Sequence, residues 1–331
     1  MVEETAPVQR QPRPLSRLES LPVELIQNIF LRCLEFNLPR SSIYLARALS
    51  DHSLYTWITR LAFTDANSAF IFTRDYIPPP LDFFSLSKGA RRDLQTSVLD
   101  CCWCTLPLIR EIQREYMKRV IAHKRNGFIL EPEDSGTLSN VDKFFDELVE
   151  QDDSVTEFIP MDLILPAKIP GSKKRRSISL CFNICSACFN GVPIYDDAFR
   201  YPSIDIFWPV RIPDKLLRPP WTNGKLEFLR MMLASETYID EDLDRERSKL
   251  VLMQVIQDRD FTAFQELLNM RACVKGYKIT EPWPLLPKHF HLALKYADQH
   301  GDPFIRVLVE KRWHDVPNDF QLKDALLGEY R

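Results

Sequence analysis

Apolar residues recur at intervals of three and four along most of this chain, and the clearest run opens at LESLPVELIQNIF. Leu21, Leu25, Ile29, Phe30, Cys33 and Leu34 follow helical spacing and make a stripe wider than one partner helix covers, so this helix is expected to bury itself on two sides. Pro22 falls in the first turn, where its missing N–H costs nothing; Ser20 or Leu21 caps ahead of it, and Glu24 sits near the positive end of the helix dipole. Leu38-Pro39 restarts the chain, and Ile43, Ala46 and Leu49 continue a second helical face. Ser50 or Asp51 caps a third helix carrying Leu54, Tyr55, Trp57, Ile58 and Leu61. Three helices in about 45 residues bury too little apolar surface to be secure alone, so some other surface must complete their core.

The pattern is weaker before and after this stretch. Residues 1–16 hold three prolines and no apolar period, which predicts a flexible tail. Beyond residue 65, Pro78-Pro79-Pro80 cannot be helical and predicts an extended strap. Ser87 to Cys104 reads as a helix with Leu94, Val98, Leu99 and Cys102 inward. Thr105 caps the next one, with Pro107 in its first turn, Ile109, Ile112, Tyr116 and Val120 on the buried face, and Asn126-Gly127 as a left-handed stop. The two helices should form an antiparallel hairpin. A further helix is expected at Val141–Glu150, then a mobile loop near 151–177. That loop ends in Gly171-Ser172 and the run Lys173-Lys174-Arg175-Arg176, which reads as solvated charge rather than an import signal or a phosphate contact.

From residue 211 a second pattern repeats. Gly224–Leu233, Arg259–Leu268 and Gly301–Val309 each begin with small or polar residues and run into an apolar helix face that ends in paired hydrophobics, at intervals of 35 and 42 residues. Stacked helix pairs are predicted, because such units bury their faces on their neighbours and leave one long side open. The segment Pro282-Trp283-Pro284-Leu285-Leu286-Pro287 falls between two copies and reads as a packed lid or an exposed contact loop.

Composition narrows the class. The chain has 331 residues, of which 45% are apolar and 27% charged, as in globular proteins. Nine glycines argue against glycine-dependent phosphate loops and turn-rich β architectures, so the fold should be mainly α. A net charge of -3 gives no global attraction to nucleic acid or to an anionic membrane. No stretch reaches the length of apolar residues that a membrane helix needs, and the polar N-terminus lacks an apolar signal core, so a cytoplasmic or nuclear location is expected.

Candidate chemistry is sparse. The eight cysteines include Cys-x-x-Cys at 101/104 and at 185/188. Cys181, Cys185 and Cys188 also have helical spacing, with Asn190-Gly191 as a stop. On one helix Cys181 and Cys188 would lie about 10 Å apart, too far to share a zinc whose bonds to sulfur are about 2.3 Å. Buried structural thiols are the main reading. A zinc site built from both groups is the alternative, which would make the chain a metal-dependent regulatory protein. No nucleophile elbow, phosphate loop, zinc-protease helix or dinucleotide fingerprint is present, and His289 and His291 diverge on a helix or strand. The expectation is a non-enzyme, with no catalytic residue, no cofactor and no metal.

The opening helices resemble an F-box. The Leu-Pro-x-Glu-Leu start is matched by Leu21, Pro22, Glu24 and Leu25, followed by Ile26, Ile29 and Phe30, with Leu38, Pro39, Leu45 and Leu49 in the second part. The longer spacer LEFNLPRSSIYLARALS is closer to fungal members of that family. The resemblance covers about one-seventh of the chain. It implies a trihelical module over residues 17–64 that binds a Skp-family adaptor of cullin-based ubiquitin ligases, through Leu21, Pro22, Leu25, Ile26 and Ile29 with Leu45 and Leu49 in support. The copies from residue 211 to 331 resemble degenerate ankyrin repeats, with His291-Leu292-Ala293 similar to their first-helix signature. Residues 65–210 would then be a helical middle region. The resemblance implies a substrate receptor that holds an unknown client protein and contacts neither nucleic acid nor membrane. The competing expectation is a helical-repeat scaffold whose F-box-like start caps its own array.

Overall fold

The computed structural model describes residues 15–63, 76–77, 79–81, 86–125, 129–130, 161–168, 175–182, 187–191, 210–234, 237–277, 281–297 and 300–330. The fold is mainly α. The first helices are α1 (Val23–Cys33), the single turn α2 (Leu38–Ser41), α3 (Ile43–Ala48) and α4 (His52–Phe63). Side-chain caps set the starts of α3 and α4, while α1 and α2 have none, and the cap position expected at Ser20 or Leu21 falls on Pro22. Pro22 stands at the N-cap of α1, Ser42 Oγ accepts from Tyr44 N at the start of α3, and the Asp51 carboxylate accepts from Ser53 N and Leu54 N at the start of α4. α1 ends on Leu34 in the left-handed region, φ 49°, with its N–H bonded to Phe30 O at 2.7 Å. The strain of that conformation is tolerated because the Leu34 side chain packs against the core.

Two longer helices follow, α5 (Lys88–Asp100), capped by Ser87 Oγ accepting from Ala90 N, and α6 (Leu106–Arg125). α4 packs across both. The Gln95 amide adds a buried hydrogen bond to Ala62 O at 3.0 Å. Asn126-Gly127 and the helix expected at Val141–Glu150 lie outside the described residues.

The middle of the chain corrects the sequence reading. β1 (Ile129–Leu130), β2 (Met161–Lys168), β3 (Arg175–Phe182) and β4 (Ala187–Gly191) form a four-stranded antiparallel sheet in sequence order. Part of the expected mobile loop near 151–177 is therefore β2, and Arg175-Arg176 open β3. Cys181 is in register with Cys188 on the neighbouring strand, so the helix assigned to this segment is replaced by a hairpin. The helical separation of Cys181 from Cys188 then no longer applies, because opposed residues of an antiparallel pair have Cα atoms about 4.5–5.5 Å apart.

A 3-10 turn at Asp214–Leu216 leads into the C-terminal array of α7 (Asn223–Ala234), α8 (Glu246–Gln257), α9 (Phe261–Asn269), the short strands β5 (Arg271–Ala272) and β6 (Glu281–Pro282), α10 (Pro287–Lys295), α11 (Pro303–Arg312) and α12 (Phe320–Tyr330). The three copies read in the sequence coincide with α7, α9 and α11. Their polar starts include caps: Asp260 accepts from Ala263 N, and Asp302 accepts from Phe304 N and Ile305 N. α8 pairs with α9 and α10 with α11; α8 also stacks on α10 and α9 on α11, while α12 packs on α10 and α11. Trp283 is fully buried, donating Nε1–H to Ser248 O at 3.0 Å, so the proline-rich segment is a packed lid. One continuous hydrophobic core runs from Ile26 to Leu326.

Candidate protein-docking surface

Burial divides α1 along its length. Ile26, Phe30 and Leu31 face inward, and the Gln27 side chain donates to Ala48 O at 3.0 Å, fastening α1 to α3. Phe30 meets Phe36 edge to face, with ring centroids 6.0 Å apart. Burying aliphatic side chains of this size contributes about 1.5–3 kcal/mol each, enough to fix which side of α1 faces inward. The other side keeps apolar residues in solvent: Leu25 is 50% exposed and Ile29 40%, one helical turn apart, with Pro22 exposed ahead of them.

The start of α3 is tied to the turn that precedes α1. Ser42 Oγ donates to the Glu19 carboxylate, which also accepts from Ser16 N at 2.6 Å. The beginning of α3 is thereby held against the turn that precedes α1. The two residues after Ser42 are Ile43, 64% exposed, and Tyr44, 52% exposed. A second pair of large apolar side chains on this small module is thus left in water.

The structure separates the residues read as adaptor-binding. Pro22, Leu25 and Ile29 lie on the exposed face, and Leu21 is half-buried at its edge. Ile26, Leu45 and Leu49 are buried; they brace α1 and α3 from beneath and offer nothing to a partner. Ile43 and Tyr44 are the additions. Ile43 had the spacing of a second-helix core residue with Ala46 and Leu49, but α3 buries Leu45, Ala48 and Leu49, and Ile43 falls on the other side of the helix. Val23, the first residue of α1, is also exposed.

The cysteines and histidines make no comparable constellation. Burial pushes the Cys104 thiol up to about 12 and Cys101 to about 11, despite the nearby Lys215 ammonium, so both are protonated thiols at neutral pH. Lys215 Nζ donates to the carbonyls of Cys101 and Cys104. Cys185 lies outside the described residues. Among the described residues, no three potential ligands gather as a metal site would require. His52 pairs with Glu111 at 3.2 Å on the surface, and His291 is exposed. His289 is buried within α10, where Nδ1 accepts from Leu286 N at 2.9 Å and Nε2–H donates to Lys249 O at 3.0 Å. It is a pin between two helix pairs, which the sequence reading missed. Its signal was a proline at the first helical position with a histidine two residues later.

Among the described residues, no helix is long and apolar enough to cross a membrane. No protein-family model matches the chain, and neither a curated protein nor a solved structure is significantly similar to it.

Proposed function

We propose that this chain is the substrate receptor of a Skp-cullin-F-box ubiquitin ligase, docking a Skp-family adaptor on α1 and the start of α3 and presenting a client protein on its C-terminal array. The observation that carries the reading is the exposed pair Leu25 and Ile29, set on a helix whose opposite side is firmly buried, within the residues that resemble the F-box start. The array supports the second half of the proposal. α8/α9 and α10/α11, joined through the β5–β6 hairpin and stacked like on like, suit degenerate ankyrin-like units, and such stacks recognise proteins. In this reading the chain has no catalytic residue and works in the cytoplasm or nucleus. Transfer chemistry belongs to partner subunits, and the receptor raises the local concentration of client lysines.

The test is capture by a purified Skp-family adaptor, comparing wild type with Leu25→Asp/Ile29→Asp. Both positions face water, so the variant should keep its melting temperature within a few degrees. Recovery should fall by about tenfold or more, since central aliphatic anchors contribute about 1–3 kcal/mol each. Equal recovery of both proteins, or none of either, rejects the assignment. One observation favours the alternative scaffold function: the core runs unbroken from the first helices into the array. That reading predicts no adaptor capture by the wild type.

A further inference from the structure

Strands β3 and β4 set two cysteines directly opposite each other. β3 is paired along both edges, Arg175–Phe182 with β2 and its last five residues, from Ile178, with β4. In that register Cys181 opposes Cys188, between the pairs Leu180 with Phe189 and Phe182 with Ala187. β4 also packs on α6, and a one-residue slip of the strand would turn its other face to that helix. The opposition of the two cysteines therefore belongs to the sheet as a whole, not to one local contact.

Opposed residues of an antiparallel pair share one face of the sheet and have Cα atoms about 4.5–5.5 Å apart. Disulfides join residues whose Cα atoms are about 4.4–6.8 Å apart. The register thus places Cys181 and Cys188 within the span that a disulfide bridges. The Cys-x-x-Cys at 101/104 differs. Burial keeps Cys101 and Cys104 as protonated thiols at neutral pH, whereas the thiolate is the form that attacks a disulfide.

We propose that Cys181 and Cys188 are a redox pair, which glutathione disulfide or another small-molecule disulfide converts to a reversible cross-strand bond. One cysteine loses its proton to water, and its thiolate attacks a sulfur of glutathione disulfide, breaking that S–S bond and releasing one glutathione thiolate. The thiolate of the other cysteine then attacks the cysteine sulfur of the mixed disulfide, forming the Cys181–Cys188 bond and releasing the second glutathione thiolate. Two electrons pass from the cysteines to glutathione disulfide, and two protons end on the released thiolates, so the products are one protein disulfide and two glutathiones. The bond fastens β4, the last strand of the sheet, to β3 and so fixes the strand that packs on α6. It does not depend on the ligase role proposed above.

The experiment equilibrates the full-length protein in glutathione buffers of graded ratio, blocks free thiols with iodoacetamide and digests with trypsin. The sequence has no lysine or arginine from 177 to 199, so a single peptide, 177–200, carries Cys181, Cys185 and Cys188. In oxidising buffer this peptide should hold one blocked cysteine, placed at Cys185 by fragmentation, and dithiothreitol given before blocking should restore all three. Cys185→Ser should leave the ratio at half-oxidation unchanged. In guanidinium the wild type should need a buffer about tenfold or more oxidising, because only paired strands hold the two cysteines at a high effective concentration. Oxidation of the folded protein should also slow amide exchange across β3 and β4. The proposal is overturned if all three cysteines are blocked at every ratio, if the bond includes Cys185, or if the folded and unfolded chains oxidise at the same ratio. Because this last comparison needs no substitution, it stands even where a variant fails to fold.

Discussion

His289 shows how much one buried side chain does in this molecule. It satisfies Leu286 N and Lys249 O together only as the neutral tautomer with its proton on Nε2. Burial pushes its pKa below the ordinary 6.5. The unfolded chain then binds a proton more readily than the folded one, so this contribution to stability is complete above pH 6.5 and is lost as pH falls below it. His289→Ala should cost about 2–4 kcal/mol, through a cavity and two orphaned backbone groups. In thermal melts across pH, the variant should also lack the part of the acid destabilisation that sets in just below pH 6.5; a wild-type profile flat down to pH 5 would contradict the assignment. The sequence placed His289 and His291 only as diverging neighbours. Nothing in the local spacing says which histidine meets α8, since Lys249 is forty residues away.

At the scale of elements, the helices were legible because their caps are local. Ser42, Asp51, Ser87, Asp260 and Asp302 each stand within three residues of the N–H they accept from; the starts read at Asp51 and Ser87 agree with the structure, whereas Ser42 splits the second helix read from Leu38-Pro39 into α2 and α3. The sheet was not legible. Cys181 and Cys188 are seven apart, a spacing that closes two helical turns and equally spans a hairpin, and only pairing with β2 decides between them. The same limit hid the docking face: Ile26 and Ile29 look alike in the periodicity, and their burial is set by α3 and α4. The turn before α8 and the segment after α9 also depend on distant contacts, the ion pairs of Lys275 with Glu241 and of Arg245 with Glu281 among them. Their ion pairs are partly exposed and contribute at most about 1 kcal/mol, so Arg245→Ala/Lys275→Ala should move the melting temperature little. It should nonetheless speed amide exchange at Lys275 and Tyr277, whose N–H groups bond Asp240 O and Val274 O at the hairpin. Unchanged protection would mean that the backbone bridges alone hold the two segments together.

Across the whole molecule, the opening helices are part of the core. Ile58, Ala62 and Phe63 on α4 are buried, as are Leu94, Val98 and Ile112 on the helices it crosses. A chain beginning at residue 64 should therefore lose its cooperative thermal transition and aggregate, as followed by circular dichroism. A sharp transition near that of the intact protein would show the module to be dispensable. Docking on the first helices is best separated from folding by substitutions on the outer face, not by truncation.

Lys215 reaches back across the chain to the carbonyls of Cys101 and Cys104, binding the approach to the array onto the turn between α5 and α6. With that clasp shut, the stretch between α6 and residue 210 has both ends fixed to the core, α6 by its packing on α4 and Val210 by the hydrogen bond its carbonyl accepts from Tyr238 N. Lengthening such a loop is cheap, about 0.6 kcal/mol for each doubling. Residues inserted between α6 and residue 210 should therefore cost little stability, while the first helices and the array keep the spacing that their packing sets.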